Sequence, residues 1–327
     1  MDLMKTNPSP SSRFWVIAPF IGLLILTLIY LGFWRYLSRD IPARLTEAGL
    51  SYSAIEASGF PTRLTFDIEN IAYTDPSISW QSEDLRLDLM PYSDEQAVLR
   101  FTKPHRVTTS LGKITIDHST NIASLKLGLD GPQQFDFVLT NPDISGYLGT
   151  VQVKALSQDM EVHARRNPQD QSRADLVATA QRLQLGRLDV FDTALMKAEM
   201  PAQWFLGQAQ WVSGLRAGET FDIKEITLKR DQFELTARGS LGADQNGKLA
   251  GELTIDLTDL TQFTDMLLRY GVINRRMHRD ILLVNGFTSF FGQRAAGQKI
   301  SVPVKFSGGR TTIANVPVGS APRLPLP

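Results

Sequence analysis

The sequence predicts a mainly β protein with minor α structure: an N-terminal transmembrane helix, then a large, twisted antiparallel β-sheet body with a C-terminal αα insertion. Three observations predict this class. One uncharged apolar stretch lies near the N-terminus, about ten later segments alternate apolar and polar residues, and one segment near the C-terminus changes to helical spacing. Strands with one apolar face and short turns favour antiparallel pairing.

The apolar stretch Phe14–Trp34 is predicted to cross a membrane. It contains no charged residue, and as a helix it reaches roughly 30 Å, the thickness of a bilayer's hydrocarbon core. Aromatic residues stand at both ends, as they do at membrane interfaces. The stretch is longer than the apolar core of a signal peptide and does not end in small residues. Both features favour an uncleaved anchor over a cleaved signal.

The residues around the span bear on its orientation. Basic residues occur on both sides of it, so charge counting does not choose a direction. A short tail before a large body favours export of the body. We therefore expect residues 1–13 to be a disordered tail on the cytoplasmic side.

Residues 35–50 are predicted to form a juxtamembrane helix. Ile41, Leu45 and Ala48 recur at helical spacing, and Gly49 is a natural stop. No long flexible linker separates the span from the body. The body is therefore expected to stay at the membrane surface.

Residues 51–316 are predicted to form the β-rich domain. A sheet with one apolar face must cover that face, usually with a second sheet or a helix. The alternative is an open trough that holds lipid or another acyl cargo. The residues expected to line such a groove lie at inward phases of four strands: Phe66, Leu87, Phe137 and Leu235.

Three segments depart from the strand pattern. Phe191–Leu206 has weak helical spacing, broken by Pro201, and is predicted to be helical. Residues 260–297 carry two amphipathic runs, interpreted as an αα insertion that caps one end of the sheet. A lid over the groove is the alternative, with Phe287 and Phe290 in its lining. Residues 317–327 are predicted to be a proline-rich, unstructured tail.

The sequence carries no recognisable catalytic or cofactor-binding motif. It has no cysteine, which excludes disulfides, thiolate catalysis and zinc–thiolate sites. The histidines are interpreted as surface or core residues, because none lies within helical reach of another. They are His105, His118, His163 and His278. We therefore predict no enzymatic activity, no cofactor and no metal site.

Charge and carboxylate placement limit the remaining classes of function. A net charge of zero gives no reason to expect a nucleic-acid partner, which requires a basic surface. Carboxylates such as Asp67, Asp88 and Asp256 stand at exposed phases of the strands. Because any two of them can meet in space, an unrecognised hydrolase stays an alternative.

Motifs near both ends of the body resemble one family. Gly59–Leu64, GFPTRL, is similar to the GFPxRL signature of the domain of unknown function 2125 family. The segment 302–324, which contains VPVKFSGG and APRL, is similar to that family's ending, although Gly308 replaces its usual aspartate. This resemblance implies a bacterial envelope protein with a membrane anchor and no assigned activity. The strand rhythm also resembles the AsmA-like group, which implies curved sheets with an apolar concave side and a role in lipid transport.

Together these observations predict a single-pass protein of the bacterial inner membrane, held by Phe14–Trp34, with its body in the periplasm. We expect a non-enzymatic binder of lipid or another hydrophobic cargo, or an envelope-assembly scaffold. A protein-interaction module of an envelope complex is an alternative.

Overall fold

A computed structural model of the chain describes residues 11–61, 63–75, 78–90, 93–109, 112–128, 131–148, 151–186, 190–202, 218–291 and 299–323. Its strands belong to one sheet, and all of their pairings are antiparallel. The fold class predicted from the sequence is confirmed.

Helices stand at both ends of the chain. Helix α1 spans Ser11–Glu47, so the predicted transmembrane and juxtamembrane helices form one continuous helix. It begins inside the segment predicted to be a disordered tail. Helices α2 (Leu260–Arg269) and α3 (Arg275–Phe291) form the αα insertion, as the sequence predicts. The Asp259 carboxylate caps α2 by accepting from the Gln262 backbone N–H.

The first twelve strands occupy the N-terminal half of the sheet. They are β1 (Leu50–Ser51), β2 (Ala54–Ser58), β3 (Leu64–Thr74), β4 (Ile78–Met90), β5 (Ser93–Phe101), β6 (His105–Thr109), β7 (Gly112–Asp117), β8 (Thr120–Gly128), β9 (Gly131–Thr140), β10 (Asp143–Leu148), β11 (Val151–Leu156) and β12 (Asp159–Arg166).

The remaining strands complete the sheet on both sides of the αα insertion. They are β13 (Arg173–Leu185), β14 (Phe191–Pro201), β15 (Thr220–Arg230), β16 (Phe233–Ala243), β17 (Leu249–Leu257), β18 (Ile300–Ser307), β19 (Arg310–Ile313) and β20 (Val316–Ser320).

The sheet is a meander in which each row consists of one strand or of two strands that lie end to end. Strands β5 and β6 form one such row, because they pair with different halves of β4. Strands β7 with β8, β9 with β10, and β11 with β12 form three more such rows. From β13 to β20 each strand pairs with the next in the chain. Within the described residues, the β1–β2 row and β20 pair on one side only, so they form the sheet's two edges.

Four neighbouring rows are interrupted at the same level. The interruptions are residues 102–104, 118–119, 141–142 and 157–158, and we call this line the crease. The ring centroids of Phe101 and His105 lie 4.6 Å apart across it. Four residues of extended strand would separate them by about 13 Å. The sheet therefore bends at the crease toward the face that carries these rings.

Ion pairs between neighbouring strands line the opposite, polar face. Arg86 contacts Asp67 at 2.7 Å, and Arg238 contacts Asp256 at 3.3 Å. Asp88 is buried, contrary to the exposed position predicted for it. It accepts a hydrogen bond from the Thr65 hydroxyl at 2.7 Å and pairs with Arg100. A buried carboxylate needs such partners, because desolvation disfavours its charged form.

Two of the sequence predictions are wrong. Phe191–Leu206 is not helical in its described part, because β14 occupies Phe191–Pro201 between β13 and β15. The C-terminal segment is not an unstructured tail throughout, since β20 spans Val316–Ser320. Pro317 is tolerated there because an edge strand can spare one backbone N–H. Residues 324–327 lie outside the described part.

Candidate functional site

One face of the sheet carries an unbroken band of apolar side chains, which we call the apolar stripe. The pairing registers carry it from strand to strand, because directly paired residues point to the same face. Its central line runs through Phe66, Leu87, Leu99, Ala123, Phe137, Val162, Ala178, Met196, Ile226, Ala237, Ile255 and Val302.

The two ends of the stripe are covered by helices. At the N-terminal end Phe66 and Leu87 are buried in a cluster to which α1 contributes Leu37, Ile41 and Leu45. At the C-terminal end the buried cluster combines strand residues with α2 and α3. Its members include Leu235, Leu257, Phe263 and Ile281. Both covers contribute to stability by removing apolar area from water.

The middle of the stripe differs from its ends. Four of its large side chains, Phe135, Phe137, Val162 and Met196, are half-buried, whereas Leu176 and Met200 are buried. Within the described part of the chain the apolar clusters here contain no helix residue. The Phe135 and Phe137 rings stack with centroids 6.1 Å apart.

Small residues separate the large ones in this middle section. Ala123, Ala164 and Ala198 are buried and pair with stripe residues on the neighbouring strands. An alanine between larger side chains lowers the surface at that point. The middle section is therefore an apolar surface on which large and small side chains alternate.

The residues predicted to line a groove fall into three groups. Phe66, Leu87, Phe137 and Leu235 lie on the same face, as the period of two predicts. Phe66, Leu87 and Leu235 are buried under helices, and Phe137 stands in the half-buried middle. The side chains of Phe287 and Phe290 lie outside the described part of the structure.

A polar cluster interrupts the apolar face at the crease. His105, His118 and Asn121 are 3%, 7% and 1% exposed. The two imidazole centroids lie 5.0 Å apart, and His105 Nε2 lies 2.6 Å from the Asn121 amide nitrogen. The Trp80 ring stacks on His105 at 5.9 Å. Sequence reasoning missed this pair, because the two histidines meet only through the pairing of β6 with β7.

Several polar atoms of the cluster have no hydrogen-bond partner among the residues that the structure describes. These atoms are His105 Nδ1, both ring nitrogens of His118 and the Asn121 amide oxygen. The pKa of His105 is lowered to about 4, mainly by burial and also by the neighbouring His118, while Asp84 opposes the shift. Burial also lowers the pKa of His118, against the opposing charges of Asp117 and Asp84. Both histidines are therefore neutral at pH 7.

Proline and asparagine signal the crease in the sequence. Pro104 and Asn141-Pro142 stand at two of the four interruptions, and Asn141 has φ 50°. Proline removes a backbone donor from a sheet and so marks a break in a strand. These signals predict turns, but not that the breaks align across four rows.

The described residues contain no group of three or more histidines, cysteines or acidic residues that could hold a metal ion. One helix of the described chain is long and apolar enough to cross a membrane: residues Pro19–Glu47 of α1, with a mean hydropathy of 1.8 over its most apolar window. Membrane anchors and signal sequences both have this form. Phe20 and Leu26 on this helix are 70% and 65% exposed, as expected of residues that face lipid.

The family model for DUF2125, described as "Uncharacterized protein conserved in bacteria", matches residues 43–322, and the chain belongs to this family. No curated protein and no solved structure matches the chain. The likeness to the AsmA-like group therefore stays a hypothesis.

Proposed function

We propose that this DUF2125 protein holds a hydrophobic ligand with an acyl chain on the middle of its apolar stripe, without catalysis. In this proposal α1 anchors it in the bacterial inner membrane and the body lies in the periplasm, where it serves lipid transport or envelope assembly. The observation that carries the proposal is the half-buried middle section between two helix-covered ends. Apolar patches that stay partly exposed to solvent, as this one does, mark ligand or interaction sites.

The dimensions of the middle section favour an acyl chain. It crosses the rows from β8 to β14, and neighbouring rows lie about 4.8 Å apart, which gives a length of roughly 19 Å. One leaflet of a bilayer's hydrocarbon core is about 15 Å thick. An extended acyl chain is therefore short enough to lie on this apolar surface along its whole length.

Placing a charge in the middle of the stripe is expected to weaken ligand binding. In F137D a carboxylate replaces the Phe137 ring, and covering that carboxylate with an acyl chain would cost the charge its hydration. We expect the affinity for a fluorescent fatty acid to fall at least about tenfold, equivalent to about 1.4 kcal/mol. The measurement is a fluorescence titration of the delipidated full-length protein in mild detergent.

The matched control is V138D, one residue along the same strand. Val138 is also half-buried but points to the opposite face of β9. The affinity of V138D for the fatty acid should stay within about twofold of that of the unaltered protein, a change in binding free energy of less than about 0.5 kcal/mol. Equal losses in both variants, or no binding by the unaltered protein, would contradict the proposal. Cellular crosslinking to a defined envelope protein in the absence of bound lipid would favour the interaction-module alternative.

A further inference from the structure

The turn between β2 and β3 contacts α1. The Phe60 ring lies against Tyr30 and Trp34, with centroid distances of 5.9 and 5.7 Å. The Tyr30 hydroxyl donates to the Pro61 carbonyl, and Trp34 Nε1 donates to the Arg63 carbonyl at 3.4 Å. Two aromatic residues of the helix are thus both packed against and hydrogen-bonded to this turn.

These contacts give the turn a defined depth along the helix. Tyr30 lies one helical turn inside the end of the apolar span at Trp34, a difference of about 6 Å. Phe60 keeps 43% of its surface exposed despite its two ring contacts. Phe33 on the adjacent part of the helix is 44% exposed. An exposed phenylalanine at the last turn of a membrane span lies where acyl chains meet headgroups.

Basic side chains surround the same level. Arg35 follows Trp34, Arg39 lies about one helical turn further on, and Arg63 ends the turn; all three are exposed. A cluster of arginines beside an apolar residue complements the anionic headgroups of a membrane surface.

We propose that Phe60, Pro61 and Arg63 form a second membrane contact, seated in the interface of a bilayer that contains anionic phospholipid. This inference rests on the part of the proposed function that places α1 in a membrane. Phe60 enters the boundary of the acyl chains, and Arg63 contacts headgroup phosphates. Together with α1, this contact attaches the body to the membrane at two points and so restricts rotation of the body about the helix axis.

The contact also orients the sheet. Strand β3 starts at this turn and runs away from it, so β4 ends and β5 begins on the same side, as do β8 and β9. Leu125 and Phe135 pair close to this side of the sheet. In the proposed arrangement this side faces the bilayer, so Leu125 and Phe135 are the part of the middle section closest to the lipids.

The chain's lack of cysteine allows a direct test of depth. Single cysteines introduced as F60C and T74C are labelled with a polarity-sensitive fluorophore in the full-length protein, in nanodiscs of phosphatidylcholine and phosphatidylglycerol. Thr74 is exposed at the far end of β3, the strand that follows the turn. We expect the label at position 60 to be quenched by lipids with shallow spin labels and several-fold less by aqueous iodide than the label at position 74. Equal iodide quenching at both positions would overturn the inference.

Two further positions keep the result interpretable. L26C reports on α1 itself: lipid quenching at 26 without quenching at 60 refutes the turn contact alone, while its absence at 26 refutes the anchor. R63C is a second reporter for the turn, because the contact with Trp34 uses the Arg63 backbone carbonyl and is kept in this variant, although the proposed phosphate contact is lost. If F60C does not fold, aqueous exposure of the label at 63 overturns the inference and lipid quenching supports it.

Discussion

Replacing Phe66 by alanine is expected to lower the free energy of unfolding by about 3–5 kcal/mol, the usual cost of removing a buried phenylalanine. Phe66 is 0% exposed in the cluster that joins β3 and β4 to α1. The cavity would open beneath α1, so the loss includes contacts between the sheet and the helix. The measurement is denaturant unfolding of the full-length protein in mild detergent.

The matched variant is F137A, which removes the same side chain from the same face. Because Phe137 is half-buried, we expect its loss to cost about 1–2 kcal/mol. The contrast separates the parts of the stripe that hold the fold from the part left for a ligand. If F137A costs as much as F66A in the delipidated protein, the middle of the stripe is a closed core, and the proposed ligand site does not exist.

Acidification is expected to destabilise the body through the crease histidines. The folded-state pKa of His105 is about 4, below its ordinary value of 6.5. Below pH 6.5 the unfolded chain therefore binds a proton that the folded chain does not. The contribution of His105 is fully present above pH 6.5 and is lost as the pH falls toward 4. At about 1.4 kcal/mol per pH unit, the total is on the order of 3 kcal/mol. His118, whose pKa is also lowered, adds in the same direction.

The variant H105Q tests this assignment. Glutamine keeps a polar group near the Asn121 amide but does not titrate. The slope of unfolding free energy against pH, measured between pH 6.5 and 5, should fall by about 1 kcal/mol per unit, because the unfolded histidine is only half-protonated at pH 6.5. A slope unchanged from the unaltered protein would refute the role of His105.

A second histidine, His163, serves as a control, because its effect on the pH dependence of stability is expected to be opposite to that of His105. His163 lies on the polar face, where the Asp136 carboxylate raises its pKa through a 2.8 Å contact. A raised pKa stabilises the fold at low pH, and this stabilisation is lost as the pH rises through the folded-state pKa. H163Q should therefore steepen the acid destabilisation that H105Q reduces.

The sequence predicts the faces of the sheet well because the strand period of two is strict. Phe66, Leu87, Phe137 and Leu235 share a face over strands far apart in the chain. A one-residue register slip would move any of them to the polar face, so burial of one face selects the register. The strand period does not predict which section of that face the helices cover.

Strand β14 shows why the helical prediction over the same residues is wrong. Its inward positions are Ala194, Met196, Ala198 and Met200, and both residue types favour helices when considered locally. Pairing with β13 and β15 on both sides outweighs that preference. The histidine pair at the crease could not be predicted from the sequence either, because His105 and His118 become neighbours only after β6 and β7 pair.

The meander has a consequence for how this protein can change in length. In the described part of the chain each row of β13 to β17 pairs with rows adjacent in the chain, while an isolated bridge between Lys248 and Arg323 ties the last described residues to the start of β17. Insertion or loss of one β-hairpin widens or narrows the sheet by two rows, about 10 Å, and leaves other pairings intact. The reach of the apolar stripe can therefore be adjusted in steps of one hairpin, with both helical covers retained at its ends.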